Sequence, residues 1–376
     1  MAYSPFVPLR VFSSFTMLEG AIDPKAVAKA ARERGFPAVA IADRNGLYGA
    51  MAFGDACTAA GVQPIVGAFL SVARPGPRLA NGAPQIDWLA LYAQDRGGYD
   101  NLCALVSAAH LGRPVEQEPH VTLPGLAGRT EGLICLTGGG EGALARLLAG
   151  EQKSAAEDYV EQLEALFAGR LYIELSRRGD ATEKAAEDAL IDMAYARALP
   201  LVATNPANFV EPQFHAAHDA MLCIAQSAYV ESEDRRASNP EAWLKPAEAM
   251  EDAFSDLPEA IRNSVVIAQR CAYMAPSRKP ILPSLAGDRE GEAAQLAADA
   301  RAGLETRLAL YPDLSAEERQ AYVERLDFEV GVITQMGFPG YFLIVADFIK
   351  WAKAQDIPVG PGRGSGAGSV VAWALT

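Results

Sequence analysis

The residues most able to do chemistry lie between Val359 and Ser369, where glycine occupies positions 360, 362, 364, 366 and 368. Absent side chains let backbone N–H groups approach a ligand closely. Ser365 and Ser369 add hydroxyls, and Arg363 adds a charged fork suited to phosphate. Apolar residues Val370 to Leu375 follow at once. A helix starting there would aim free N–H groups at an anion. Two familiar phosphate loops can be tested against the run. A P-loop needs Gly-Lys followed by Ser or Thr, and the run has no lysine. A dinucleotide fingerprint read from Gly362 reaches a permitted Ala367, but the nine residues beyond include no acidic partner for a ribose. A plain linker is the remaining alternative, although a linker need not set an arginine between glycines and then open onto an apolar helix.

Metal and nucleophile chemistry has thin support. The chain has four histidines, His110, His120, His215 and His218. His215 and His218, at i and i+3, could share a metal but read better as helix surface or cap. Five cysteines are scattered without a CxxC pair, which suggests reduced thiols of a cytosolic protein. The first residues lack the charged start and apolar run of a signal peptide, and no apolar stretch approaches the ~18 residues of a membrane span. A cytoplasmic location without membrane contact is expected. The chain has 33 basic and 47 acidic side chains, a net charge of −14. A duplex-binding surface needs a basic footprint, so composition alone does not suggest a DNA enzyme.

Up to about residue 210, short apolar runs alternate with helical patterns. Expected strands are Val7–Val11, Ala38–Ala42, Pro64–Val72, Trp88–Ala93, Gly132–Thr137, Arg170–Leu175 and Pro200–Thr204. The first helix starts at the Asp23-Pro24 cap and ends at Gly35. Such alternation predicts a parallel sheet under helices, and seven units favour a barrel, whose working end is where strands enter their following loops. The stretch Ala275–Glu292 is dense in Pro, Gly and charge, and makes the best boundary. Beyond it Ser315 and Glu318 form a capping box, and Tyr322, Leu326, Val330 and Ile333 form an apolar stripe. A second helix, Tyr341 to Ala354, would bury Phe342, Val345, Phe348 and Ile349.

Gly337 to Val345, followed by Pro358 to Ser369, resembles the start of the palm in the alpha subunits of bacterial DNA polymerase III, the C-family replicative polymerases. The resemblance covers the whole chain, in order: Phe6–Ser13 with Met17–Gly20, Asp43-Arg44-Asn45 with Tyr48-Gly49, Pro64–Gly67, Gly98–Leu102 and Leu201–Asn205. It implies an α/β fold: a PHP-type distorted (β/α)7 barrel over residues 1–275, a linker over 276–292, and the mostly helical start of a polymerase-beta-like palm over 293–376. Gly362, Arg363, Gly364, Ser365 and Ser369 would then hold the triphosphate of a nucleotide. The family's magnesium-binding carboxylates follow the glycine loop, and no Asp or Glu occurs after Asp356, so no catalytic residue is expected in this chain. Implied partners are template-primer DNA, deoxynucleotides, other replisome subunits and a proofreading exonuclease docked on the barrel.

Active PHP domains bind up to three metals through His, Asp, Glu and Cys. Here the resemblance places the opening His-x-His pair on Arg10 and Phe12, the next acidic ligand on Glu19, and the Asp-His pair on Asp43 and Arg44. A glutamate falls on Ala68, a histidine on Trp88, a cysteine on Gly139, and the closing Asp-x-His on Pro206 and Asn208. Arg, Phe, Ala and Trp are not substitutes for imidazole or carboxylate ligands, so no metal is expected, and a phosphoesterase activity is the weaker alternative. The expected replacement is electrostatic. Arg10 or Arg44 would pair with Asp43, Glu19 or Glu174, with Phe12 and Trp88 filling the remaining space.

Overall fold

A computed structural model describes residues 4–375, apart from 77, 78, 80, 81, 279, 280, 361, 363 and 364 and the side chain of Ser365. The chain divides into two units, Met1–Ser277 and Arg278–Thr376.

The first unit is a curled mixed sheet under helices. Its strands are β1 (Ala38–Arg44), β2 (Gln63–Ala73), β3 (Ile86–Ala93), β4 (Val121–Thr122), β5 (Leu133–Leu136), β6 (Leu171–Leu175) and β7 (Leu201–Ala203). Its helices are α1 (Pro24–Glu33), α2 (Ala50–Ala60), α3 (Arg96–Leu111), α4 (Ala143–Ala149), α5 (Lys153–Leu166), α6 (Ala181–Ala196), α7 (His215–Gln226), α8 (Ala247–Ala253) and α9 (Pro258–Arg270). The sheet order is β1-β2-β3-β5-β6-β7, with β4 on β2. Sequence reading expected parallel pairing throughout, but β3 runs antiparallel to both β2 and β5. Among the described residues no helix lies between β2 and β3, and antiparallel strands can be joined without one.

The expected strand Val7–Val11 is not a regular strand. Proline at position 8 removes one ladder donor. The segment still closes the curl. Ala40 N donates to Pro8 O and Ala42 N to Val11 O, both at 2.9 Å, while Phe12 N donates to Ala207 O at 2.9 Å and Ala207 N to Arg10 O at 2.8 Å. Residues 8–12 therefore run between β1 and the chain leaving β7.

Strand alternation sorts the two faces. Phe12, Ala38, Ala40, Ala42, Phe69, Ala90, Tyr92, Leu136, Tyr172 and Val202 pack in the inner core. Val39, Ile41, Ala68, Leu91, Cys135 and Ile173 pack in the outer core under the helices. Helix α1 begins as its sequence dictates, with Asp23 Oδ1 accepting from Lys25 N at 2.9 Å.

The second unit is helical: α10 (Arg289–Leu308), α11 (Ala316–Met336), α12 (Pro339–Ala354) and α13 (Val370–Leu375), with a 3-10 turn at Ser365–Gly368. The capping box forms at the start of α11, where Ser315 Oγ accepts from Glu318 N and Glu318 Oε2 accepts from Ser315 N. The α11 stripe is buried at Leu326 and Ile333, while Tyr322 is exposed. In α12 the expected face is rotated. Pro339, Gly340, Leu343 and Ala346 are buried, and Phe348 is exposed. Positions 339, 343 and 346 form one helical stripe, and the expected Phe342 packs at its edge. Among the described residues no single helix is long and apolar enough to cross a membrane.

Candidate functional site

Side chains from the working end of the sheet meet in a buried charged cluster. Arg10, in the closing segment, is the largest fully buried side chain among the described residues, at 1% exposure. Its Nη1 donates to Glu174 Oε1 at 2.7 Å. Glu174, at the end of β6, is wholly buried and also accepts from Thr204 Oγ1 at 2.6 Å and from Gly138 N at 2.9 Å. The Arg10 guanidinium lies over the Phe69 ring, 3.6 Å from its centroid. Its Nε has no protein hydrogen-bond partner. That orphan N–H costs stability, and the ring face beside it offsets part of the loss.

Arg44 ends β1 and forms the second pair. Its Nε and Nη2 each donate to a different oxygen of Glu19 at 2.7 Å, a bidentate fork, and Nη2 also donates to Glu141 Oε2 at 2.8 Å. Arg236 adds a further bond to Glu19 at 2.7 Å. The Arg44 guanidinium stacks over Trp88, at 4.5 Å, and Trp88 stacks on Phe69 with centroids 5.0 Å apart. Burial pushes the Glu19 carboxyl up, but Arg44 and Arg236 outweigh it and hold it at about 2. Burial likewise acts against Glu141, and Arg44 with Arg10 brings it below its usual range.

Asp43 is not part of this cluster. It alternates with Arg44 and points away from the inner core. It accepts from Ser13 N, Ser13 Oγ and Thr16 Oγ1, each at 2.7 Å. Burial raises its carboxyl, and those hydrogen bonds offset only part of the rise. Ala68 faces the same outer side, and its neighbour Phe69 is the β2 residue that lines the cluster. A shift of one residue along a strand exchanges the two faces. Gly139, at φ +55°, leaves space where a Cβ would stand 3.8 Å from the Glu174 carboxyl. Asn208 Nδ2 donates to the Glu19 carbonyl at 3.4 Å, and Pro206 is buried beside the closing segment's partner, Ala207. His218 is not at the surface: it is buried, with its ring nitrogens 2.7 Å from Glu19 O and 2.6 Å from Ser238 Oγ.

The glycine run of the second unit is built differently. Ideal Cβ atoms at Gly360, Gly362, Gly366 and Gly368 would meet nothing within 4 Å. Arg363 and Gly364 lie outside the described residues, as does the side chain of Ser365. Ser369 is described, and its hydroxyl is already engaged: it donates to Glu329 Oε2 at 2.8 Å and accepts from Ala372 N at 3.1 Å.

Residues 8–178 match the family model for the PHP domain, and residues 294–376 match the one for the bacterial DNA polymerase III alpha NTPase domain. DNA polymerase III subunit alpha of Caulobacter vibrioides is 48% identical over 99% of this chain and 32% of its own length. The proteins of that name from Vibrio cholerae and Escherichia coli K12 are each 38% identical, over 100% of this chain and 32% of theirs. The chain belongs to the DNA polymerase III alpha-subunit family. It spans about a third of the length of these relatives.

The metals associated with active PHP domains do not fit this member of the alpha-subunit family. Arg10 and Arg44 stand at two positions where the resemblance implies histidine ligands, and each guanidinium lies 2.7 Å from a carboxylate oxygen. Among the described residues no group of three or more His, Cys, Asp or Glu side chains could hold a metal ion. Sequence reading missed Glu141 and Arg236. Glu141 had a signal, an acidic residue in the Gly138–Gly142 turn after β5, at the working end of the sheet. Arg236 had none, because it reaches Glu19 from 217 positions away.

Proposed function

We propose that this chain is the N-terminal region of a replicative, template-directed DNA polymerase, in which the PHP barrel serves as scaffold and the glycine run holds the triphosphate of the incoming nucleotide. The observation that carries the reading is the open glycine run, with unoccupied space at Gly360, Gly362, Gly366 and Gly368, in a unit matched by the alpha-subunit family model. Backbone N–H groups there, with Arg363 and Ser365, would bind and orient phosphate oxygens. Magnesium, when bound by carboxylates elsewhere in the polymerase, would activate the primer hydroxyl and stabilise the leaving pyrophosphate. The chain by itself therefore should not extend a primer.

The barrel's part in this reading is mechanical. Its pocket charges are paired with one another, which supports a rigid docking body for the proofreading exonuclease over a phosphoesterase. Template-primer DNA and other replisome subunits would be met by the longer protein. The test is kinetic. In the polymerase carrying this sequence, Arg363→Ala should raise KM for nucleotide about tenfold or more, since one charge-assisted bond contributes about 1.5–3 kcal/mol. Unchanged KM and turnover in both Arg363→Ala and Ser365→Ala would sink the assignment.

A further inference from the structure

Among the described residues of the second unit, Glu329 is the sole buried charged side chain. It sits on α11 between the core positions Leu326 and Ile333, where an apolar residue would be expected. A buried carboxylate is costly unless it is paired and hydrogen-bonded. Each Glu329 oxygen is accounted for. Oε1 accepts from Arg325 Nε at 2.7 Å, and Oε2 accepts from Ser369 Oγ at 2.8 Å and from Val371 N at 3.1 Å. Ser369 Oγ in turn accepts from Ala372 N. Burial pushes this carboxyl up, and the Arg325, Val371 and Ser369 bonds outweigh it and bring it below its usual range, so it stays ionised near neutrality.

The bonds to Ser369 and Val371 fall on the exit of the glycine run, while the Arg325 bond lies within α11. The other end of α13 is pinned as well. Arg307 Nε donates to Trp373 O at 2.9 Å, and Gly303 lets α10 approach so closely that a Cβ there would stand 2.0 Å from Ala374 O. Among the described residues before Ser369, Gly366 and Gly368 face open space. Helix α11 therefore fixes where the open run stops, through one carboxylate.

We propose that Glu329 is a positioning residue for the glycine run, which holds Ser369 and Val371 so that the backbone leading into them, Gly366 to Gly368, is presented to a nucleotide triphosphate. This inference rests on the nucleotide reading of the run and sharpens it. The hydroxyl of Ser369 and the amide of Val371 are spent on Glu329, and an ionised carboxylate there repels phosphate. The phosphate contacts then come from the run before Ser369, and Ser369 acts through Glu329 and not on the ligand.

The test uses the polymerase that carries this sequence, with KM for deoxynucleotide and kcat measured separately for Glu329→Gln, Ser369→Ala, their double variant, Arg363→Ala and Ser365→Ala. Glu329→Gln and Ser369→Ala are expected to raise KM about tenfold with a smaller change in kcat, because charge-assisted hydrogen bonds at the loop exit are lost. The double variant should be no worse than the poorer single variant, since both break one contact. Glu329→Asp should recover part of the loss. Additive effects of Glu329→Gln and Ser369→Ala would place the serine on the ligand and overturn the inference. Unchanged KM in both, with a raised KM in Arg363→Ala, would overturn it and leave the nucleotide reading standing. Unchanged KM and turnover in Arg363→Ala and Ser365→Ala as well would overturn both. In case Glu329→Gln fails to fold, Ser369→Ala, which removes only a half-buried hydroxyl, reports on the same contact.

Discussion

The barrel cluster and the glycine run are built in opposite ways. At the barrel, Arg10, Arg44 and Arg236 meet Glu19, Glu141 and Glu174, and three aromatic rings close over the guanidiniums. Charge is matched inside the protein, and the group that binds best there is the protein itself. At the glycine run, four glycines face open space and the nearest buried carboxylate is tied to the run's exit. The barrel cluster is closed and charge-paired, whereas the described glycines of the run leave open space.

The largest expected effect follows from cutting the closed site on one side. Arg10→Met should lower stability of the first unit by about 3–5 kcal/mol, because it strands the buried Glu174 carboxylate. Adding Glu174→Leu should restore part of that loss, since an apolar pair costs less than one unpaired charge. Denaturant melts of both variants check this. A single variant as stable as the wild type would show that the pair contributes nothing.

A smaller effect is expected from acid. Glu19 has a folded value of about 2 against an ordinary value of 4.5. A depressed carboxylate stabilises fully above its unfolded value, and that contribution is lost as pH falls through the folded one. Stability should therefore drop between about pH 4.5 and 2, by on the order of 2–3 kcal/mol from this group. Glu141, also depressed, adds in the same direction, while Asp43, raised by burial, opposes it. Urea melts across this range should show a shallower slope in Glu19→Gln than in the wild type. Equal slopes would detach Glu19 from the acid response.

The smallest effect is expected at the open site. Gly366→Ala should leave stability within about 0.5 kcal/mol of the wild type, because its Cβ meets nothing. Gly142→Ala, whose Cβ would lie 1.8 Å from Thr137 O in the barrel, should destabilise markedly. Similar melting of the two variants would erase the contrast between the regions.

Much of this was legible in the residues. Six of the expected strands, the Asp23 cap and the Ser315 capping box reflect local pattern, and local pattern carried them into the structure. Arg10 and Arg44 were expected to pair with Asp43, Glu19 or Glu174, and the structure pairs them with Glu174 and Glu19 but not with Asp43. What was not legible depends on facing and distance. Asp43 and Arg44 are neighbours in sequence and point to opposite sides of β1, and Ala68 and Phe69 differ likewise on β2. The reversal of β3 depends on a connection with no helix, and the burial of Glu329 on a helix depends on a serine 40 positions later. Periodicity assigns a charged residue to a solvated face and has no means of finding such a partner.

The central claim is that guanidiniums, and not cations, neutralise the barrel pocket. The direct measurement is the melting temperature of the purified chain in a chelator and in saturating manganese or zinc. A cation bound to the folded state at 100 times its Kd would add about 2.7 kcal/mol and raise the melting temperature by several degrees. The account predicts the same melting temperature in every buffer. A saturable rise with metal that disappears in Glu174→Gln would contradict it.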